Sequence, residues 1–123
     1  MIFLYISNLL IPLIILIGGL FMKYKTPKKI NGWVGYRTTM SMKNEETWQF
    51  AHNYCGVLWI KIGLILTLIA IAGCMISAFS GYVVASIISV ILMVIQVVTL
   101  LLSIAPTERE LKKHFDKNGN KIQ

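Results

Sequence analysis

Charged side chains are absent from most of this chain. Only 14% of its 123 residues are Asp, Glu, Lys or Arg, and all of them except Lys61 fall within residues 23–53 or 107–123. The apolar stretches left between them each exceed the roughly 20 residues that a helix needs to cross a bilayer. We therefore predict an all-α membrane protein, a single membrane domain of residues 1–123. Its predicted parts are spans at about 1–22, 55–79 and 82–104, a cytoplasmic loop at 23–54 and a cytoplasmic tail at 105–123.

Acidic residues are scarce, and none lies in a predicted span. The chain has 5 Asp and Glu against 12 Lys and Arg, which gives a net charge of +7. Without an intramembrane carboxylate, a proton-coupled pump is disfavoured. No nucleic-acid-binding module accompanies the positive charge, so direct nucleic-acid binding is not expected. Basic residues that flank spans instead orient them and contact anionic membrane lipids.

The distribution of Lys and Arg predicts the orientation in the membrane. Three crossings place both charged segments on one side, which then carries six plus five basic residues, while the other side carries none. Positive charge stays cytoplasmic, so we expect the N-terminus outside and the C-terminus in the cytoplasm. Lys23 and Lys25 directly follow the first apolar stretch and no charge precedes it. This pattern favours an uncleaved anchor over a secretory signal.

Cysteine, histidine and acidic residues are too sparse for a metal site or a disulfide framework. Cys55 and Cys74 are nineteen residues apart, roughly 28 Å on one helix, whereas a disulfide needs Cα atoms under about 7 Å apart. Cys55 follows His52 by three residues and so resembles a Cys–His nucleophile. No orienting carboxylate or oxyanion-binding group accompanies this pair. We predict a protein that is not an enzyme and that has no cofactor.

Two polar residues fall inside the predicted spans. Lys61 lies roughly 9 Å into the second span, where a long side chain can snorkel to the cytoplasmic interface. Gln96 lies deeper and needs a partner in another helix; it either packs helices together or belongs to a ligand pocket. Small residues at helical spacing in the second span permit close packing, either within the chain or in a homo-oligomer. These pairs are Gly63 with Thr67, Ala70 with Cys74, and Gly73 with Ser77.

The loop is expected to end in an amphipathic interfacial helix before the second span, capped by Asn44 and bent away from the span near Gly56. In the tail, Pro106 should stop the third span or change its direction. Thr107 has capping-box spacing with Glu110 and should begin a short cytoplasmic C-terminal helix. The apolar face of that helix is formed by Leu111 and Phe115. An aromatic belt at the interface is predicted from Trp33, Tyr36, Trp48, Tyr54 and Trp59.

A specific pattern of residues runs through the loop and reappears in the tail. It consists of Asn31, Gly35, Tyr36, Arg37, Thr38, Ser41, Asn44, Trp48 and Ala51, with Gly56 beyond and the run Pro106-Thr107-Glu108. This pattern resembles the SdpI/YfhL family, small bacterial membrane proteins whose namesake gives immunity to a secreted sporulation-delaying toxin peptide. The resemblance implies a plasma-membrane immunity protein with a toxin peptide and membrane lipids as partners. For the namesake it also implies a signalling role, in which the toxin-occupied protein captures a cytoplasmic repressor.

The candidate binding residues come from this pattern and its polar neighbours. They are Asn31, Gly35, Tyr36, Arg37, Thr38, Ser41, Asn44, Glu45, Trp48 and His52. Arg37 is the central candidate, because its guanidinium can bind a lipid phosphate, pair with Glu45 or Glu46, or bind a ligand. The asparagines and Ser41 either fold the loop or contact a ligand, and His52 either satisfies itself at the interface or acts as a base. We expect residues 31–44 to form a compact structure docked on the helix that follows and touching the tail.

Three functions remain open at this point. The first is a non-enzymatic immunity or signalling protein. The second is a small transporter or exporter component, which three spans and Gln96 suggest and which would need a homo-oligomer to form a path. The third is a membrane-embedded enzyme that uses Arg37, His52 and Glu45 or Glu46.

Overall fold

The computed structural model describes residues 2–32 and 35–122, and this part of the chain is helical, with one isolated β-bridge between Phe115 and Lys121. The helices are α1 (Ile2–Tyr24), α2 (Glu45–Ala78), α3 (Tyr82–Leu102) and α4 (Ile104–His114). Within the described residues, α1, α2 and α3 (which continues into α4) are long and apolar enough to cross a membrane. The predicted all-α membrane protein with three spans is therefore confirmed.

Helix α2 begins with the capping interactions that its sequence predicts. The Asn44 side chain accepts from the Thr47 N–H at 2.9 Å, and the Thr47 hydroxyl accepts from the Asn44 N–H at 3.0 Å. This reciprocal capping box satisfies two backbone donors at the helix start. Glu45 and Glu46 occupy the first turn, where the positive end of the helix dipole favours them.

The predicted interfacial helix is not a separate element. Residues 45–54 and the second span form one helix of 34 residues without an interruption at Gly56, about 51 Å long. Gly56 serves packing, because a Cβ there would lie 2.8 Å from the Lys23 backbone nitrogen in α1. Because glycine has no side chain, α1 and α2 approach closely at this position, and α2 continues through Gly56 as a helix. The first turns of α2 precede the apolar stretch that begins at Cys55. The loop and the tail pack against these turns.

Glycines set the close approach of α1 and α2. A Cβ on Gly19 would lie 2.8 Å from the Ile60 nitrogen, and one on Gly63 would lie 2.9 Å from atoms of Leu16. Small residues allow such backbone contact in lipid, where no hydrophobic drive pushes helices together. Gly63 therefore packs within the chain, as the first of the two sequence-based alternatives expects.

Buried polar side chains join α1 to α3 in the bundle interior. Asn8, Gln96 and Ser89 are all at most 3% exposed. The Asn8 amide donates to the Ser89 hydroxyl at 2.9 Å, and the Gln96 amide donates to the Asn8 backbone carbonyl at 2.9 Å. That carbonyl is free for Gln96 because Pro12, four residues later in α1, has no N–H to donate. Gln96 thus makes the expected interhelical hydrogen bond, and it satisfies an acceptor that a proline leaves open.

We expect Gln96→Leu to insert and fold with a loss of about 0.6 kcal/mol, the average for such bonds in membranes. In a Pro12→Ala background the loss should shrink, because a backbone N–H at position 12 can return to the Asn8 carbonyl. Unfolding free energies of the wild type, the two single variants and the double variant, measured in the same detergent, form the required cycle. An equal loss in both backgrounds would show that Gln96 does not compensate for the proline.

The transition from α3 to α4 corrects the predicted start of the tail helix. The helices are separated only by Ser103, and α4 begins at Ile104 instead of Thr107. Pro106 cannot donate to the Leu102 carbonyl four residues earlier, so the hydrogen-bond ladder is interrupted one turn before the proline. Thr107 does not cap the helix; it is buried, and its hydroxyl donates to the Ser103 carbonyl at 3.4 Å.

Candidate functional site

The loop, the start of α2, α4 and the tail fold together into one unit, which we call the polar head (residues 25–32, 35–54 and 103–122). An apolar cluster that also includes Met22 of α1 holds the head together. Its buried members are Met22, Tyr36, Ala51, Cys55, Leu111 and Phe115. Leu111 and Phe115 thus form the predicted apolar face of α4, and they bury it against the loop and α2.

Gly35 and His52 form the closest contact between loop and helix. Gly35 has φ +110°, a region that side chains other than glycine rarely adopt. A Cβ on Gly35 would lie well under 3.0 Å from His52 Nε2. The Tyr36 N–H donates to the same Nε2 at 2.9 Å. Glycine is therefore required here both by the backbone conformation and by the space beside the imidazole.

The imidazole of His52 is neutral and fully occupied. Its Nε2 accepts from Tyr36, so the proton resides on Nδ1, which lies 2.8 Å from the Trp48 carbonyl. Burial lowers the pKa of His52, which precedes the apolar stretch of α2. Because both ring nitrogens bind backbone atoms, His52 does not serve as a base for Cys55. His52 therefore positions the loop and does not form the Cys–His pair that the sequence spacing suggests.

Tyr36 connects the loop to α4. Its side chain is buried, and its hydroxyl donates to Glu108 Oε1 at 2.7 Å. Burial, together with the hydrogen bond to Glu108, raises the pKa of Tyr36, so the phenol stays protonated at any physiological pH. Glu108 is part of the tail run that accompanies the loop pattern in sequence. The structure explains this association, because the two segments bind each other.

Thr38 and Ser41 close a turn that leads into α2. The Ser41 hydroxyl accepts from the Thr38 N–H at 2.8 Å and donates to the Tyr36 carbonyl at 3.0 Å. The Ser41 N–H in turn donates to the Thr38 hydroxyl at 3.1 Å. Ser41 is fully buried. These side chains fold the loop, which is the more ordinary of their two predicted roles.

Asn44 has a second function besides capping α2. Its amide nitrogen donates to the Gly119 carbonyl at 2.6 Å and so holds the tail against the helix start. Gly119 has φ +84° in a turn where Asp116 accepts from the N–H groups of Asn118 and Asn120, both at 2.9 Å. The sequence predicts the cap at Asn44 and a contact between the loop and the tail. Only the structure shows that the Asn44 side chain makes both.

The predicted aromatic belt is wrong for two of its members. Trp48 is 0% exposed and donates through Nε1 to the Pro27 carbonyl at 2.8 Å, and Tyr36 is only 8% exposed. Both are core residues of the polar head. Trp59 is half-buried and donates to Ser103 at 3.0 Å. Trp33 lies outside the described residues.

Arg37 differs from its buried neighbours in the pattern because its side chain is exposed. The expected pairing with Glu45 or Glu46 is wrong: among the described residues, the guanidinium donates to the Gly32 carbonyl and forms no ion pair. Both glutamates face a separate polar depression beside Asn120 and Lys121.

Arg37 borders a groove of about 350 Å³ between α1, the loop, α2 and α4. The groove is the candidate binding site, since it combines apolar walls with one exposed cation. Its lining residues are Gly18, Phe21, Met22, Gly35, Tyr36, Arg37, Thr38, Trp59 and Ile104.

The remaining candidates lie away from this groove. Asn31 donates to the Lys29 carbonyl at 3.3 Å. Lys61 is exposed on another face of α2, beside a depression of about 380 Å³ that includes Tyr54 and Leu58. Snorkelling of Lys61 stays a prediction.

Comparison with known proteins matches the region that contains this geometry. The SdpI/YfhL protein family profile matches residues 28–107, which is 80 of the 123 residues. The chain is also similar to the uncharacterized protein YfhL of Bacillus subtilis strain 168, with 29% identity over 99 residues, covering 80% of each protein. No solved structure matches the chain.

Proposed function

This chain belongs to the SdpI/YfhL family, and we propose that it is a membrane immunity protein that protects its own cell from a secreted toxin peptide of the sporulation-delaying kind. The observation that carries the proposal is the family match over the loop and the two spans that follow it. The structure supports it in one respect: the loop and tail parts of the pattern are bonded to each other in the polar head, where Tyr36 donates to Glu108.

Recognition of the toxin takes place within the bilayer in this proposal. The connection between α2 and α3 consists of Phe79, Ser80 and Gly81, which is too short to form a binding domain. The surfaces available to a membrane-active peptide are therefore the lipid-facing sides of the helices. A non-enzymatic mechanism of this kind requires occupancy of a surface and no chemical step.

A signalling role would use the polar head. Helix α4 ends in Lys112, Lys113 and His114, and Lys117 follows in the tail, all of them exposed. A cytoplasmic protein with an acidic surface would be attracted to this face. Capture of a repressor by the toxin-occupied protein fits this surface and is the regulatory part of the proposal.

The structure weakens the alternative that the chain is a transporter component. Gln96 was the polar residue that suggested a path, and its amide nitrogen is engaged with the Asn8 carbonyl in the bundle interior. No further observation favours transport.

We expect the N-terminus outside the cell and the polar head in the cytoplasm, because all eleven Lys and Arg outside the predicted spans lie within residues 23–53 or 107–123. Reporter fusions at the two termini measure this directly. A C-terminal fusion that is active only outside the cytoplasm would contradict the orientation.

The immunity proposal is tested by a killing assay. Toxin-sensitive cells that express the chain should survive a toxin concentration that kills cells with an empty vector. A matched control expresses the chain at the same level and challenges the cells with an unrelated membrane-disrupting peptide, to which no protection is expected. Equal killing with and without the chain would refute the proposal.

A further inference from the structure

The groove beside Arg37 lies at the level where the apolar part of α1 ends. Phe21 and Met22 line it, α1 ends at Tyr24, and Lys23 and Lys25 are the first basic residues of the chain. Basic residues that directly follow a span mark the region of the lipid headgroups. The groove therefore sits where a hydrocarbon chain gives way to a polar headgroup.

The walls of the groove are open to the surrounding lipid. Phe21 is 37% exposed and Ile104 is 42% exposed, and both lie on apolar helix surfaces. Trp59 forms the floor, with its indole N–H bound to Ser103. An acyl chain that enters from the bilayer would contact these three side chains and displace no polar partner.

Among the described residues, Arg37 supplies a positive charge at the groove that no ion pair neutralises. Its guanidinium donates a hydrogen bond to the neutral Gly32 carbonyl. The carboxylate of Glu108 accepts a hydrogen bond from the hydroxyl of the neighbouring Tyr36 at 2.7 Å. A guanidinium presents several donors in a planar fork that fits a phosphate group, and most of these donors remain available.

We propose that the groove binds one phospholipid with a net negative headgroup. Its phosphate contacts the Arg37 guanidinium, and its acyl chain lies along Phe21, Trp59 and Ile104. A net negative headgroup is preferred over a zwitterionic one because Lys23 and Lys25, which follow Met22 within three residues, disfavour the cationic group of a zwitterionic headgroup. The inference stands on the groove alone and does not require the immunity proposal.

The experiment measures retained lipid by native mass spectrometry of the full chain released from detergent micelles that contain phosphatidylglycerol or phosphatidylcholine. We expect the wild-type chain to retain one phosphatidylglycerol in preference to phosphatidylcholine. Arg37→Gln should weaken this retention about tenfold, the usual effect of losing a charge-assisted hydrogen-bonding group. Lys43→Gln removes an exposed charge of the same loop outside the groove and should leave retention unchanged.

Three outcomes would overturn the inference. One is equal retention of the two lipids by the wild-type chain, a result that does not depend on whether a variant folds. Another is an equal loss in Arg37→Gln and Lys43→Gln, which would indicate unspecific attraction to positive charge. The third is displacement of the lipid by millimolar inorganic phosphate, which would assign the Arg37 site to a free anion.

Discussion

Gly35→Ala is expected to destabilise the polar head severely. The substitution places a side chain on a residue with φ +110° and drives its Cβ into His52 Nε2. Positive φ at a non-glycine residue costs about 1–3 kcal/mol, and overpacking at a rigid site adds about 1–3 kcal/mol. His52 cannot move aside easily, because its Nδ1 is bound to the Trp48 carbonyl. The melting temperature of the detergent-solubilised chain should fall by roughly 10 °C or more.

Gly32→Ala is the matched control for this prediction. Gly32 belongs to the same loop, and a Cβ there would meet no atom within 4 Å. The control should melt within a degree or two of the wild type, and trypsin should cut its loop at the wild-type rate. The Gly35 variant should be cut faster at the loop lysines. If both variants behaved like the wild type, the contact between Gly35 and His52 would not hold the loop.

Arg37→Ala is expected to abolish toxin protection while the protein accumulates normally in the membrane. The side chain is exposed and contributes a single described hydrogen bond to the fold, so its loss should change stability by no more than about 0.5 kcal/mol. Arg37 lines the groove that is the candidate binding site, and we expect protection to require this cation in addition to the lipid-facing helix sides where the toxin is recognised. Arg37→Lys should restore little protection, because an ammonium cannot reproduce the planar fork.

The measurement is cell survival under toxin, normalised to the amount of protein in the membrane fraction. Lys43→Ala serves as the control, since Lys43 is also exposed in the loop but does not line the groove. Full protection by Arg37→Ala at normal protein level would contradict the prediction. Immunity would then depend on the lipid-facing sides of the spans without a contribution from Arg37.

Several local features were predictable because their physical causes are local. The cap at Asn44 follows from a side chain that can reach the N–H of a residue three positions later. The apolar face of α4 follows from the spacing of Leu111 and Phe115. The start of α4 was predicted wrongly from an equally local signal. Thr107 has the right spacing for a cap, but at Pro106 the chain is already helical.

The candidate site depended on contacts between distant segments. From sequence alone, an aromatic residue near a membrane interface can belong either to an aromatic belt or to a protein core. For Trp48, the hydrogen bond to the Pro27 carbonyl identifies it as a core residue. The same holds for Arg37, whose expected acidic partners are near in sequence but do not meet it. Glycine is compatible with many kinds of turn, so the sequence does not show that position 35 requires it. The contact with His52 shows that it does.

The number of spans and the helical class follow from hydropathy alone, because a bilayer demands long apolar segments whose backbone groups are satisfied internally. The orientation predicted from charge rests on the same kind of one-dimensional information. The tertiary structure decides which polar groups meet: Gln96 with the carbonyl that Pro12 leaves open, Tyr36 with Glu108, and Asn44 with Gly119. These pairs are separated by 72 to 88 residues, and sequence spacing carries no information on which distant partner will satisfy a buried polar group.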